Sequence, residues 1–432
     1  MRIERARGTR DFMPAEMEKR RLMETKMRAI AASWSYDEIR TPTFELAELF
    51  TRKSGAGILK EMYEFKDKSG RHLALRPELT APVIRMYVNE LKMAPKPTKV
   101  YYFGNCFRYE EPQKARYREF WQFGAEIIGS DQPEAQAEII ALAYYIVNSL
   151  GVKTELHVGH VGLIRAELRA ASVEDADISR VMRLIDKGAI DEVIEAMSAI
   201  GTNKQVIDNL IGLIELKGKE SLKEARDREL INSDSEALKD LELLLDILDY
   251  YDVTYTLNLG IARGLDYYTG MVFEIYESGG ELGAQNQVCG GGSYRLAALF
   301  GGDDTPSTGF AIGFDRLAEI FTLETDDLGS QKVVVVPIRG KNADLTVMKE
   351  AIAIAATLRE FFPTYVDVMS RSIGAQLSYA NAIHASFAVL VGKTEVKEGK
   401  VTLRNLVSGE QEKLGLDECV ERIIKSSSDV AN

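Results

Sequence analysis

The sequence predicts an α+β fold: an antiparallel sheet domain, a helical block inserted into it, and a separate α/β module at its C-terminal side. Three observations predict this. Strand signals dominate from Leu73 to Ile128 and return from Val253 to Phe314. Between them, over roughly Val161 to Leu248, the pattern turns helical and acidic, as in "ISRVMRLIDKGAIDEVIEAMSAIG" and "SEALKDLELLLDILDYY", and reads as an insertion. After Phe321 the polar, glycine-containing "LETDDLGSQ" reads as a linker. Beyond it strand-like and helix-like stretches alternate, which predicts a small α/β domain around parallel strands. The expected boundaries are 1–325 for the sheet domain, interrupted at 161–250, and 331–432 for the module.

Taken in order, "DFMPAEMEKRRLMETKMRAIAASWSY" is helical. Pro14 suits a first turn, and Met23, Met27, Ile30 and Trp34 follow helical spacing. The extended "DEIRTPTFE" follows, where Pro42 fits an edge strand or an interface rather than a central strand. In "LRPELTAPVIRMY", Glu78 and Thr80 fall on the loop before a helix, where capping is the plain alternative to ligand binding. Two strands then face each other as a hairpin. In "VYYFGNCFRYE", Gly104, Cys106, Arg108 and Glu110 share a face. In "REFWQFGAEII", Trp121, Phe123, Ala125 and Ile127 form a core face, and Phe120, Gln122, Gly124 and Glu126 form the other.

Further on, "GIARGLDYYTGMVFEIY" sets Arg263 and Asp266 on a turn beside Tyr267 and Tyr268. An arginine beside paired phenols can hold an anion while the hydroxyls bond a polar ligand. The run "CGGGSYRLAALFGG" matches no phosphate-loop pattern. Its three glycines suit close approach of backbone to a ligand or another strand. In "STGFAIGFDRLAEIF" a strand passes into a helix with Arg316 in the first turn, where helix amides and a guanidinium favour phosphate. The "FAVLVG" and "KVVVVPI" strands and the helical "NADLTVMKEAIAIAATLREFF" build the final module.

Composition excludes some classes. Of 432 residues 45% are hydrophobic and 28% charged, as in globular proteins, and no apolar run would span a bilayer. Three scattered cysteines (Cys106, Cys289, Cys419) argue for a reducing compartment rather than a disulfide framework. His157 and His160, in "HVGH", are the nearest approach to a metal pair, and no ligand-spaced cluster supports one; no metal-binding side chain is expected. The net charge of −12 is concentrated in the insertion, where 12 Lys/Arg meet 20 Asp/Glu, so it neither favours nor excludes a nucleic-acid partner.

Individually these stretches are weak; their order is specific. "TPTFE", "FRYEEP…RYREFWQFGAE" and "GFAIGFDRL" resemble the three motifs of class II aminoacyl-tRNA synthetases. "ARGLDYYTGMVFE" and "GGGSYRL" resemble the two signature stretches of the histidyl-tRNA synthetase family within that class. The resemblance runs from "RGTRDFMP" to the C-terminal module, which is similar to a class IIa anticodon-binding domain. It implies that the sheet is the class II catalytic sheet and that the reaction is ATP-dependent histidine activation followed by transfer to tRNA(His), in a cytoplasmic homodimer with Mg²⁺.

The residue roles below are what that resemblance implies. Arg108 and Arg263 would be the catalytic cations at the α-phosphate. Glu78, Leu79, Thr80 and Gln122 would hold the histidine α-amino end, Leu79 through backbone where many members carry glycine. Glu126 and Tyr268 would bond the imidazole nitrogens, with Tyr267 beside them and Tyr294 closing the pocket. Arg116 and Arg316 would bracket the outer phosphates of ATP with Mg²⁺, Glu110 would lie beside Arg108 on the ATP side, and Phe120 would stack on adenine. Gln113 and Lys114 would meet the tRNA acceptor end. Such a pocket needs no editing domain, because a site that satisfies two ring nitrogens leaves buried polar groups unpaired with any other amino acid. The module has "GAQLSYANA" where many members are lysine-rich. The principal rival is a regulatory subunit of ATP phosphoribosyltransferase, which shares the core but lacks the anticodon-type module and typically the signature arginines. A tRNA-binding pseudo-synthetase and another class IIa synthetase are the remaining rivals; the latter would lack "RGLDYY".

Overall fold

A computed structural model describes residues 3–59, 61–111, 116–262, 267–283, 286–322, 331–338 and 345–428. The chain forms two compact units, Met1–Thr322 and Leu323–Asn432.

The first unit begins with helix α1 (Pro14–Ser33), started by proline and burying Met23, Met27 and Ala31 at intervals of one turn. Strand β1 (Asp37–Glu38) follows, then β2 (Phe44–Leu46), helix α2 (Ala47–Leu59), β3 (Glu64–Lys66) and β4 (His72–Leu75). Helix α3 (Thr80–Met86) precedes the hairpin of β5 (Thr98–Phe107) and β6 (Glu119–Ile128). Helix α4 (Pro133–Asn148) leads to β7 (Thr154–His160). The helical block then comprises α5 (Val161–Ala170), α6 (Asp175–Asp186), α7 (Ile190–Ala199), α8 (Lys204–Ile214), α9 (Ser221–Asp227) and α10 (Glu236–Tyr250). The chain returns through β8 (Thr256–Leu257), β9 (Tyr268–Glu277), β10 (Gln287–Tyr294) and β11 (Ser307–Gly313), ending in α11 (Phe314–Ile320).

Eight of these strands form one sheet in the order β1-β5-β6-β11-β10-β9-β7-β8. Its six long strands are antiparallel, and only the two-residue edge strands β1 and β8 run parallel to their neighbours. Pro42 lies in neither strand but in the segment between β1 and β2, so it is not an edge-strand residue. Helix α4 carries ten buried residues, from Pro133 to Val147, and packs against β6, β11, β10, β9 and β7. It therefore covers the apolar face that holds Phe123, Ala125 and Ile127, which are at most 1% exposed. The opposite face of the same strands is left for ligands.

Close strand approach explains the glycine run. A Cβ at Gly291 would stand 2.4 Å from the Gly309 carbonyl, and one at Gly292 would stand 2.6 Å from that of Met271. A small sheet of β2, β4 and β3 stands apart from the main one.

The second unit holds β12 (Val333–Pro337), α12 (Leu345–Leu358), β13 (Thr364–Val366), α13 (Ile373–Ala382), β14 (Phe387–Val391), α14 (Lys393–Glu398), β15 (Val401–Asn405), β16 (Gln411–Leu414) and α15 (Leu416–Ser428). Its order is β13-β12-β14-β15-β16, with the first three strands parallel as expected. The antiparallel hairpin of β15 and β16 was not expected from sequence. Its short strands carry few apolar residues, and its turn is signalled only by Gly409, at φ 79°.

Candidate active site

The open face of the main sheet floors a cavity of about 960 Å³. Twelve of the residues singled out in the sequence line it: Glu78, Thr80, Arg108, Glu110, Arg116, Phe120, Gln122, Glu126, Tyr267, Tyr268, Tyr294 and Arg316. Leu79 is not among the lining residues; it is 3% exposed and its carbonyl accepts from the Val83 amide. Arg263, Gln113 and Lys114 lie outside the described residues.

At one end sits Glu126, fully buried at the middle of the sheet. Its Oε1 accepts from the Tyr102 hydroxyl at 3.0 Å and its Oε2 from the Tyr294 hydroxyl at 2.6 Å. Burial drives the carboxyl up to about 7, although Tyr294, Tyr102, Thr80 and, more weakly, Lys53 oppose that rise. Tyr267 packs against Tyr268 at 4.6 Å between centroids and edge-on to Tyr294 at 5.9 Å. The result is a carboxylate ringed by phenols, suited to a small ligand bearing N–H donors.

This buried carboxyl gives the protein a pH-dependent stability. Below its ordinary value of 4.5 it is protonated in both folded and unfolded chains and costs nothing. As pH rises from there to about 7 the unfolded chain ionises first, so stability falls by about 3 kcal/mol over that window. Glu126→Gln removes this loss. Its denaturant midpoint should gain on the wild type steadily between pH 4.5 and 7; parallel curves would disprove the assignment.

Glu78 stands nearby, at the start of α3. Its Oε2 accepts from the Thr80 amide at 2.8 Å and its Oε1 from the Ala81 amide at 3.0 Å, so it does cap the helix. Capping leaves acceptor capacity for a ligand, because an ionised carboxylate has about four acceptor positions. Gln122 accepts from the Cys106 thiol at 3.3 Å, and burial pushes that thiol up to about 12, leaving it a weak donor rather than a nucleophile.

The other end is basic. Arg108 donates from Nε to the Pro77 carbonyl at 2.9 Å, with its guanidinium 5.2 Å from the Phe120 ring. Arg116 bonds Glu110, whose carboxyl burial pushes up but Arg116 and Arg108 together hold below its ordinary value. Arg316 bonds the Gln287 carbonyl, and burial, then the like charges of Arg116 and Arg108, lowers its affinity for its proton. Three guanidiniums gathered at one end repel one another, and a polyanion relieves that repulsion.

Sequence reasoning missed several residues here. Tyr102 was assigned no role, yet it holds half of Glu126. Lys53, on α2, reaches into the cavity. Arg183, Asp186 and Lys187, from the end of α6 and just beyond, also line it, so the helical insertion contributes to the site. Asp315 is buried, accepting from Arg20 at 2.7 Å and from the Trp121 amide at 2.5 Å, and so ties α1 and α11 to β6. Tyr102 does share the period-two face of Gly104, Cys106 and Arg108, but no spacing rule marks the others, whose contacts join distant parts of the chain. His160, half of the "HVGH" pair, caps α5 by accepting from the Gly162 amide at 3.2 Å.

Comparison with known proteins identifies the family. A family model described as histidyl-tRNA synthetase matches residues 8–317, and one described as anticodon binding domain matches residues 332–426. The histidine–tRNA ligase of Archaeoglobus fulgidus is 53% identical over 412 residues, covering 95% of this chain and 97% of that protein. That of Methanosarcina acetivorans is 49% identical over 427 residues, covering 98% and 99%. The crystal structure of apo Staphylococcus aureus histidyl-tRNA synthetase is 30% identical with a TM-score of 0.74, covering 98% of this chain and 100% of its own. Full-length likeness to ligases, anticodon domain included, favours the ligase over the regulatory subunit. The chain belongs to the histidyl-tRNA synthetase family.

Proposed function

We propose that this chain joins L-histidine to tRNA(His) in two steps within the cavity. In the first, a carboxylate oxygen of histidine attacks the α-phosphorus of ATP, the bond to pyrophosphate breaks, and histidyl-adenylate remains. In the second, a terminal ribose hydroxyl of tRNA attacks the adenylate carbonyl and AMP leaves. The observation that carries the reading is the cavity's polarity: a phenol-ringed carboxylate at one end, three guanidiniums at the other, and Glu78 lining the same cavity.

Glu126 would accept an imidazole N–H, with Tyr268 at the other ring nitrogen. Glu78, Thr80 and Gln122 would receive the α-ammonium. Arg108 would face the α-phosphate with Arg263, neutralising charge as it grows at phosphorus. Phe120 would stack on adenine, and Arg116 and Arg316 would bracket the outer phosphates beside Glu110. Among the described residues no cluster of three or more His, Cys, Asp or Glu could hold a metal ion. Mg²⁺ would enter on the triphosphate, against Glu110, and supply further neutralisation of phosphate charge. The deciding experiment is pyrophosphate exchange into ATP: it should depend on L-histidine, and exchange with no histidine requirement would end the proposal.

The reading extends to a homodimer. The small sheet exposes Phe44, Leu46 and Phe65, with the two phenylalanine rings 6.1 Å apart. Monomers seldom leave such apolar groups together in water, and α1 and the segment around Pro42 would share the interface. Light scattering at micromolar concentration should give about twice 48.2 kDa; a fully active single chain would refute the dimer. No helix among the described residues is long and apolar enough to cross a membrane. All three cysteines are free and buried, which suits the reducing cytoplasm where tRNA is charged. Gln113 and Lys114 would meet the acceptor end, and the C-terminal unit would read the anticodon.

A further inference from the structure

Lys53 belongs to none of the motifs above, yet it is among the most enclosed charges of the site. Its side chain is 2% exposed, and its Nζ lies 3.1 Å from Glu78 Oε2. The same ammonium stands 4.4 Å from the centroid of the Tyr267 ring, and the residue lines the catalytic cavity. Burying an ammonium is costly unless it is paired, and here the partner is the carboxylate assigned to the substrate's α-ammonium.

That pairing has a consequence for binding. A carboxylate already carrying two amide donors and an ammonium attracts a second cation only weakly. Taken together, however, Glu78 and Lys53 form a fixed dipole, negative at one end and positive at the other. A free amino acid presents the reverse dipole, with α-ammonium and α-carboxylate on a single carbon. A ligand bearing both charges gains at both ends and restores the neutrality of the pair, whereas a bare amine meets repulsion from Lys53.

We propose that Lys53 and Glu78 act together as a zwitterion receptor, with the α-ammonium on Glu78 and the α-carboxylate on Lys53. Lys53 is then a specificity-determining residue for the free amino acid. The inference rests on the cavity being a histidine site. Among the described residues, Arg108, anchored on the Pro77 carbonyl next to Glu78, and the buried Glu126 also line this cavity. When the carboxylate oxygen bonds to phosphorus, its charge passes to the departing pyrophosphate and the attraction to Lys53 fades. Its contribution therefore falls on ground-state binding, and so on KM more than kcat.

The test compares L-histidine with L-histidinol, the alcohol that keeps the α-ammonium and imidazole but lacks the carboxylate. Both are titrated calorimetrically into the full-length wild type, Lys53→Met and Lys53→Arg. The expected result is a histidine Kd raised about 10- to 100-fold in Lys53→Met, the range for a lost charged hydrogen bond. Histidinol affinity should stay the same or improve, and Lys53→Arg should recover most of the histidine affinity. Lys53→Gln, which still donates to Glu78 without a charge, replaces the methionine variant if that one fails to fold. Equal weakening of both ligands would show that Lys53 only props Glu78 and would overturn the receptor. Unchanged histidine affinity would overturn it as well. A wild type that binds neither ligand would overturn the histidine reading itself and this inference with it.

Discussion

Arg108→Ala should lower histidine-dependent pyrophosphate exchange by about 10²- to 10³-fold in kcat, the cost of losing one fixed charge stabiliser, about 2.7–4 kcal/mol. The expectation follows from how this guanidinium is held. Its Nε is tied to a neutral carbonyl, that of Pro77, at 2.9 Å, so this anchor does not neutralise its charge. Glu110, at 4.0 Å, is bonded instead to Arg116. The backbone is fixed on both sides of the residue: the Phe107 amide donates to the Arg76 carbonyl at 2.9 Å and the Arg108 amide to the Arg118 carbonyl at 3.0 Å. A charge held this way needs no reorganisation as the transition state forms. Because the side chain is a third exposed, its removal should cost the fold only about 1 kcal/mol, roughly one hydrogen bond. Exchange at near wild-type rates in a folded Arg108→Ala protein would mean that the phosphate end of the cavity has been misassigned. Arg108→Lys should fall between the two, keeping charge but losing the Nε anchor and the planar fork.

Much of this site could be read from sequence because its residues are clustered on a few strands whose alternation fixes their direction. Arg108, just past the end of β5, and Phe120, Gln122 and Glu126 on β6 project to one face by period-two spacing alone. The fold was legible for the same reason in the long strands and in α1, where Met23 and Met27 repeat at helical spacing. What could not be read is what depends on which strand lies beside which. The pairing of β11 with β6 sets Gly309 opposite Glu126, a relation between residues 183 positions apart that no local pattern encodes. Lys53 belongs to none of the recognised motifs, and only the folded chain brings it to Glu78. The hairpin of β15 and β16 escaped because its strands are short and mostly polar, so period two carries little hydrophobic contrast there.

The second large effect is expected at Gly309, a residue with no side chain to offer the reaction. Built onto its backbone, a Cβ would lie 1.5 Å from Glu126 Oε2, 2.4 Å from the same carboxyl's carbon and 2.8 Å from the Ala125 carbonyl. The carboxylate cannot simply swing aside, since Tyr102 and Tyr294 hold its two oxygens and the group is fully buried. The Ala125 carbonyl belongs to the neighbouring strand and cannot yield without parting β6 from β11. Gly309→Ala therefore overpacks the floor of the pocket, at about 1–3 kcal/mol of stability, and drives Glu126 out of the position from which it would meet an imidazole. A site built to bond such a group loses about 10⁴-fold in kcat/KM when the bond is denied, so histidine activation should fall by that order. The arginine end lies on other residues, so ATP binding, followed by fluorescence titration, should remain within a few-fold of wild type. That split separates a damaged histidine pocket from general unfolding. If Gly309→Ala kept an ordinary KM for histidine, Glu126 would not be the group that recognises it.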